Sequence, residues 1–439
     1  MDSLPKVEVD RISFFPKVEV DRFSFLPDCI LESVVSLLPI REAGRTSILS
    51  RRWRYVWASA PSLNIMDDND HINSFTSFTK FVMDVIDDTK HVNLSTDLNW
   101  SVIAEQALSL HNGTILDFRL YTRAGQCDLD RWIPLLTKKG LQKLSMNYRD
   151  DVQGGVYCMS YRMHSSLFSC SSLVSLELGF CSLEVEPSCD YKGIPSLKIL
   201  TLARVRLNDS ILESLVSGSG RLEILALVQC DGLSHIKIHG PKLLSIYLIS
   251  KFSDINLSKC SNLKLLLLSG ASMSCKFLEG LLRLEVLYFH GSSTLYFSGG
   301  DVVGRLSTTY KHIRILVLSL NTRNIMEVSD VQSQSQSQSQ IQIQSEGCFW
   351  ENMNNGQSGS WLSCLRRVNI WLGEIRLEDM KLIKFLLLNT KVLDEFFIGT
   401  RKGMDQAKQL SLENQLLLLP KASSRAMIVF KNLSRYGIN

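Results

Sequence analysis

The sequence predicts an α/β chain: a small all-helical head, then a long solenoid whose strands lie side by side in one parallel sheet. Three observations predict it. Between positions 115 and 398 a short apolar motif recurs, one apolar residue followed at +3 and +5 by two more. Between positions 26 and 58 the apolar residues instead fall three and four apart, the helical period. Finally, 439 residues with 45% hydrophobic content exceed one ordinary compact core, yet are apolar enough to fold.

The formal net charge of +4 is small for this length and points neither to nucleic acid nor to an anionic membrane. The first ten residues carry Asp2, Lys6, Glu8 and Asp10 and lack the apolar stretch of a secretory leader. Apolar runs such as Leu265 to Leu268 fall far short of the roughly 20 residues that cross a bilayer. Eleven cysteines occur without one C-x-x-C pair, which reads as small buried hydrophobes rather than a disulfide or zinc framework. The expected location is the nucleus and/or cytoplasm.

Residues 5–14 read PKVEVDRISF and residues 16–25 read PKVEVDRFSF, a tandem copy differing only at Ile12 against Phe23. Only the second copy runs on into LPDCILESVV, so residues 1–20 are expected to be an extension and the head to begin at Asp21. Pro27 suits a first helical turn, and Ile30, Leu31, Val34, Val35, Leu37 and Leu38 repeat at helical spacing until Pro39. A second segment, 41–47, is short, with Ala43 and Ile48 facing in. A third, 50–58, places Leu49, Trp53, Val56 and Trp57 on one stripe and Arg51, Arg52 and Arg54 opposite. About 40 residues in three short helices make a marginal core, so this unit needs a partner or a neighbouring domain.

Residues 21–66 resemble the F-box of plant F-box proteins. The match is carried by Asp21, Arg22, Leu26, Pro27, Ile30, Leu31, Leu38, Pro39, Thr46, Ser47, Leu49, Ser50, Arg52, Trp53, Arg54 and Trp57. The resemblance implies docking onto the Skp-family adaptor of an SCF ubiquitin ligase and, through it, the cullin scaffold. It assigns adaptor contacts to Leu26, Pro27, Ile30, Leu31, Val34, Leu38, Pro39, Leu49 and Trp53. The sequence departs from the family at Cys29, where an acidic residue is common, at Ile40 for the usual Thr, and at Gly44 for Val or Ala. Glycine inside a helix costs about 1 kcal/mol relative to Ala and removes a packing side chain, so adaptor affinity is expected to be weakened without being lost.

The recurring motif appears as Ile115-Phe118-Leu120, Leu141-Leu144-Met146, Leu173-Leu176-Leu178, Leu197-Leu200-Leu202, Leu222-Leu225-Leu227 and Leu243-Ile246-Leu248. It continues as Leu263-Leu266-Leu268, Leu284-Leu287-Phe289, Ile313-Leu316-Leu318, Leu365-Val368-Ile370 and Leu393-Phe396-Ile398. From Leu173 successive copies start 24, 25, 21, 20 and 21 residues apart, the period of leucine-rich repeats. The last two apolar residues of each copy alternate as in a strand and point inward together. Each copy buries its leucines only against its neighbours, so the sheet must be parallel and continuous. Eleven strands about 4.8 Å apart give a sheet about 50 Å long, a protein-sized surface. Its solvent side is expected to present Glu177, Thr201, Ala226, Tyr247, Leu267 and Tyr288.

The pattern fails from 321 to 360, where alternating Gln and Ser between Gln332 and Gln340 reads as a disordered loop. From Leu365 it recovers, and the remainder resembles the FBD unit that accompanies F-box and leucine-rich repeats in one plant family. That match rests on Leu365, Val368, Leu372, Gly373, Phe385, Leu386, Leu387, Asn389, Leu393, Phe396, Ile398, Ser423, Val429 and Phe430. A helix over 381–389 with Leu382, Phe385 and Leu386 inward is expected, and the unit is read as a cap on the sheet. The organisation is therefore an extension (1–20), an F-box (21–66), a connecting segment (67–114), leucine-rich repeats (115–320), the Gln/Ser loop (321–360) and an FBD unit (361–439).

No catalytic constellation is legible. His235 and His239 sit in HIKIH, a strand pattern that holds the imidazoles about 13 Å apart, too far for one metal. Gly218-Ser219-Gly220 lacks the Lys-Ser/Thr of a phosphate loop, and no G-x-S-x-G elbow occurs. Neither a cofactor, a metal nor enzymatic activity is expected on this chain. The resemblance implies a substrate receptor that holds an unnamed target protein near the ligase. The rival reading is a leucine-rich-repeat binding module working outside any ligase, and a secreted or membrane repeat receptor is a second rival motivated by N-x-[ST] sequons.

Overall fold

A computed structural model describes residues 23, 25–65, 100–123, 129–149, 161–163, 167–168, 170–183, 193–269, 281–290, 312–320, 362–372, 377–400 and 406–432. The first copy of the duplicated head, most of the connecting segment and the Gln/Ser stretch lie outside the described residues.

The head folds as three short helices: α1 (Asp28–Val35), α2 (Ile40–Arg45), which runs into a 3-10 turn at Thr46–Ile48, and α3 (Arg51–Ser59). Pro27 and Pro39 stand at the N-caps of α1 and α2, where a missing N–H costs nothing. The Ser50 hydroxyl accepts the Trp53 amide at the start of α3. Leu31, Val35, Ile40, Ala43, Val56 and Trp57 form the buried centre, with Leu26, Leu38 and Trp53 packed against it. Ile48, expected to face in, is 85% exposed, because the 3-10 turn ends the inward phase set by Ala43. An added Cβ at Gly44 would meet no atom within 4 Å. Gly44→Ala is therefore expected to stabilise the chain by about 0.5–1 kcal/mol through the propensity difference alone, read as a raised melting temperature.

Two residues after α3 the chain enters β1 (Ser62–Ile65), the first of thirteen strands in one sheet. Following it are β2 (Asp117–Arg123), β3 (Lys143–Arg149), β4 (Ser175–Gly179), β5 (Ile199–Ala203) and β6 (Ile224–Val228). After the two small strands β7 (His235–Lys237) and β9 (Asp254–Asn256), which pair apart, come β8 (Ser245–Ile249), β10 (Leu265–Ser269), β11 (Val286–His290) and β12 (Ile315–Leu320). The last three are β13 (Arg367–Leu372), β14 (Glu395–Thr400) and β15 (Met427–Asn432). Every pairing is parallel and in register. One core row runs Leu63, Phe118, Leu144, Leu176, Leu200, Leu225, Ile246, Leu266, Leu287, Leu316, Val368, Phe396, Ile428.

All three apolar positions in all eleven copies of the motif are buried, none more than 4% exposed. The mixed α/β solenoid predicted from the spacing is the fold observed. The sheet is nevertheless longer by two strands. β1 carries a twelfth copy, Ala60-Leu63-Ile65, whose small first residue hides it. β15 keeps only Ile428 and Phe430, because Arg425 stands where the first apolar residue belongs. In most copies the first apolar residue donates its amide to a carbonyl three residues earlier. Leu197 to Ile194, Leu222 to Ser219, Leu243 to Gly240 and Leu263 to Cys260 are instances of this tight turn. Buried cysteines serve the turns as small hydrophobes whose thiols reach backbone carbonyls, Cys230 to Leu202 at 3.3 Å and Cys260 to Ile238 at 3.4 Å. Burial pushes the Cys230 thiol up to about 12.

Helices interrupt the solenoid at Trp100–Leu110, Leu129–Lys138, Asp209–Gly218, Leu377–Asn389 and Gln406–Leu417. In the fourth of these Leu382, Phe385 and Leu386 are buried, with Ile383 and Leu387 beside them. β7 shows the alternation read from HIKIH, Ile236 inward and His235 outward. Phe180, Arg204 and Gln229, each the first residue past β4, β5 and β6, adopt left-handed backbone with φ of 55°, 53° and 50°. Such conformations are uncommon for residues other than glycine. Here the strand-to-strand hydrogen bonds impose them, with the Phe180 amide on the Ala203 carbonyl and the Arg204 amide on that of Val228. Their side chains stack in turn: Arg204 lies over the Phe180 ring at 5.1 Å and bonds the Gln229 amide oxygen at 2.6 Å.

Candidate adaptor and target-binding surfaces

The helical head is locked to the sheet. Asn112 donates its amide to the Ala58 carbonyl at 2.8 Å, and Leu116 donates to Pro61 at 2.8 Å. The buried His111 ring reaches the Ala60 carbonyl through Nε2 at 2.8 Å, while Lys139 Nζ caps the His111 carbonyl at 2.9 Å. Burial, aided by the Lys139 charge, lowers the His111 pKa, although the bond to Ala60 opposes this. Burial therefore favours the neutral imidazole in the folded chain. With the folded pKa below the unfolded value of about 6.5, its contribution is complete above that pH and is lost as pH falls through the folded value. Melting temperatures taken from pH 8 down to pH about 5.5 are expected to fall further for the native chain than for His111→Gln, whose amide can still donate to Ala60.

The nine residues assigned to adaptor contact divide into three groups. Pro27 and Ile30 are exposed, as are Val34 and Leu49, with Ile30 46% and Leu49 68% accessible. Leu26, Leu38 and Trp53 are half-covered and lean on the internal core. Leu31 and Pro39 are buried, so as contacts they are corrected: both fill the head itself. On α1 the apolar residues form two stripes. Leu31 and Val35 turn into the core of the head, whereas Ile30 and Val34, continued by Leu37 in the turn just past the helix, point to solvent. Phe25, Leu37 and Ile48 are among the most exposed large apolar side chains described, and none was assigned from the sequence. The doubled stripe was the available signal, since one helix face cannot use both. Arg52, expected on a solvated face, ties the corner: it pairs with Asp28 at 2.7 Å and bonds the Leu26 carbonyl.

On the side of the sheet opposite the core, Ser145 donates to Glu177 at 3.0 Å, and Arg119 pairs with Asp117 at 2.8 Å. Burial raises the Glu177 pKa, against the Ser145 hydrogen bond. Beyond this polar end the face turns apolar. Ala203, Val228, Ile249 and Leu267 make a second buried cluster, with Tyr247, Leu265 and Tyr288 packed on it. Of the six positions expected to face solvent, Glu177, Tyr247 and Tyr288 are half-exposed. Thr201, Ala226 and Leu267 are buried and are corrected: Thr201 and Ala226 are short beside neighbours such as Tyr247, and Leu267 packs into the second apolar cluster. At the far end Trp371 and Phe397 meet at 5.0 Å between centroids. Gly399 leaves room for the Trp371 ring, since a Cβ there would lie 2.5 Å from it. Among the described residues no group of three or more His, Cys, Asp or Glu could hold a metal ion, and no helix is long and apolar enough to cross a membrane.

Comparison with known proteins finds similarity in both parts of the chain. The F-box domain model matches residues 23–64, and a model of the LRR repeats of FBD-associated F-box protein At5g56370 matches residues 129–333. F-box/FBD/LRR-repeat protein At1g13570 of Arabidopsis thaliana is 28% identical over 436 residues, covering 91% of this chain and 96% of that one. The chain thus carries an F-box match and a match to FBD-associated LRR repeats, and along most of its length it is similar to an F-box/FBD/LRR-repeat protein of that plant. F-box/LRR-repeat protein 13 of the same plant is 30% identical over 220 residues, covering 49% of this chain and 43% of its own. F-box/FBD/LRR-repeat protein At5g56420 is 29% identical over 229 residues, with 50% and 47% covered. The chain thus spans nearly all of the first relative and under half of the other two. In this chain the F-box match runs straight into the repeat sheet, because β1 follows α3 directly and pairs with β2.

Proposed function

We propose that this chain is the non-catalytic substrate-recognition subunit of an SCF-type ubiquitin ligase, acting in the nucleus or cytoplasm. One observation carries the reading: within the F-box match, a complete internal core coexists with a second apolar stripe, Ile30, Val34 and Leu37, left to solvent. Contiguous exposed apolar surface of this kind marks a protein-binding site. A Skp-family adaptor is the partner that the F-box implies, with the cullin reached through it. The sheet face from Glu177 to Tyr288 would hold the target. Because the head is hydrogen-bonded to the first strands, a docked target is kept at a fixed place relative to the adaptor. The chain then contributes effective concentration of a target lysine near a thioester carried elsewhere, and no bond chemistry of its own.

The test is co-purification of the full chain with a Skp-family adaptor and cullin, followed by ubiquitin transfer to proteins captured by the repeats. A stable ternary complex is the expected result. Full-length, folded chain that captures targets but no adaptor would favour the binding module acting outside a ligase.

A further inference from the structure

The sheet ends on β15, and β15 differs from the strands before it. On β14 the core-facing Phe396 and Ile398 are fully buried, yet their register partners Ile428 and Phe430 are only half-covered. Met427 is exposed, and so are Leu410, Leu417 and Leu418 just upstream. Among the described residues the backbone is unfinished at the same place. Met427 donates its amide to the Asp394 carbonyl on the β14 side. By strand alternation Val429 faces that side too, and Ile428 and Phe430 turn their amides and carbonyls to the outer edge, where no described strand pairs with them. Another β-strand satisfies both the open apolar row and the open main-chain row at once.

We propose that β15 is a self-association edge: two copies of the chain join β15 to β15, antiparallel, about a two-fold axis through Val429. In this register Ile428 of one copy lies opposite Phe430 of the other, and the converse. Both residues present outward amides and carbonyls, so each such pair exchanges two main-chain hydrogen bonds and prolongs the core row. Val429 meets Val429 as a non-hydrogen-bonded pair, the closer-spaced kind. Apolar residues oppose apolar residues at all three positions. A one-residue slip would turn the core-facing side chains of one copy to the wrong face, so the register is specified. The contact is isologous and closes after two chains.

The full chain is examined by sedimentation velocity from about 1 to about 50 μM, a span that reports micromolar association. The expected result is a mass of two chains emerging with concentration. Val429→Lys and Val429→Asp each set like charges directly across the axis, and each alone is expected to weaken association at least about tenfold with unchanged circular dichroism. An equimolar mixture of the two variants is expected to recover it. In the unaltered chain, hydrogen exchange at the Ile428 and Phe430 amides is expected to slow as concentration rises. A single-chain mass throughout, association indifferent to both variants, or exchange at those amides independent of concentration would overturn the proposal.

Discussion

Ile30→Asp in the full chain is expected to lower affinity for a Skp-family adaptor at least about a hundredfold, while leaving the melting temperature nearly unchanged. Ile30 is exposed on α1 in the unpartnered chain, so an aspartate there stays hydrated until the adaptor arrives. Docking would then strip water from a carboxylate against an apolar wall, a penalty of several kcal/mol, and central interface positions carry losses of that size. Leu49→Asp, at a still more exposed site, is expected to act in the same direction. The control is the adjacent residue. Leu31→Ala is expected to cost about 2–5 kcal/mol of folding stability, because Leu31 is wholly inside the head. Calorimetric titration with purified adaptor, beside thermal melts of the same samples, separates the two. Unchanged adaptor affinity in Ile30→Asp would remove α1 from the interface.

This contrast also marks where sequence reasoning stops. Helical spacing assigns Ile30 and Leu31 equally to an apolar helix; it does not say which stripe a partner takes, since that depends on where α3 packs. The solenoid is legible for the opposite reason. Each motif copy repeats the same inward alternation, so one reading is confirmed by ten others, and all the leucine positions lie in the core. β1 escaped because Ala60 is a poor beacon, and β15 because Arg425 replaces an apolar residue. Thr201 and Ala226 point away from the core as alternation requires, yet are buried. Direction follows from the pleat, but exposure depends on the height of neighbouring side chains such as Tyr247, which no single strand encodes. The tie between His111 and Ala60, 51 residues apart, has no local signature at all.

Phe118→Ala is expected to destabilise the N-terminal end of the solenoid by about 3–5 kcal/mol. Phe118 is fully buried, in register between Leu63 of β1 and Leu144 of β3. β1 offers only four residues to the sheet, so the ring is a main apolar link between the head and the repeats. In a solenoid each strand depends chiefly on its neighbours, and the loss is therefore expected to be local rather than shared by the chain. Melting should split, with an early phase absent from the native protein. Hydrogen exchange should quicken at β1, β2 and β3 and remain slow at β6, β8 and β10, where Leu225, Ile246 and Leu266 keep their partners. One cooperative transition, shifted equally at every strand, would contradict the quasi-one-dimensional coupling. A split melt would further imply that the head can detach while β6, β8 and β10 stay folded. Under the proposed function the variant would then hold adaptor and target on one chain without the fixed distance between them, and ubiquitin transfer would fall more than either binding step.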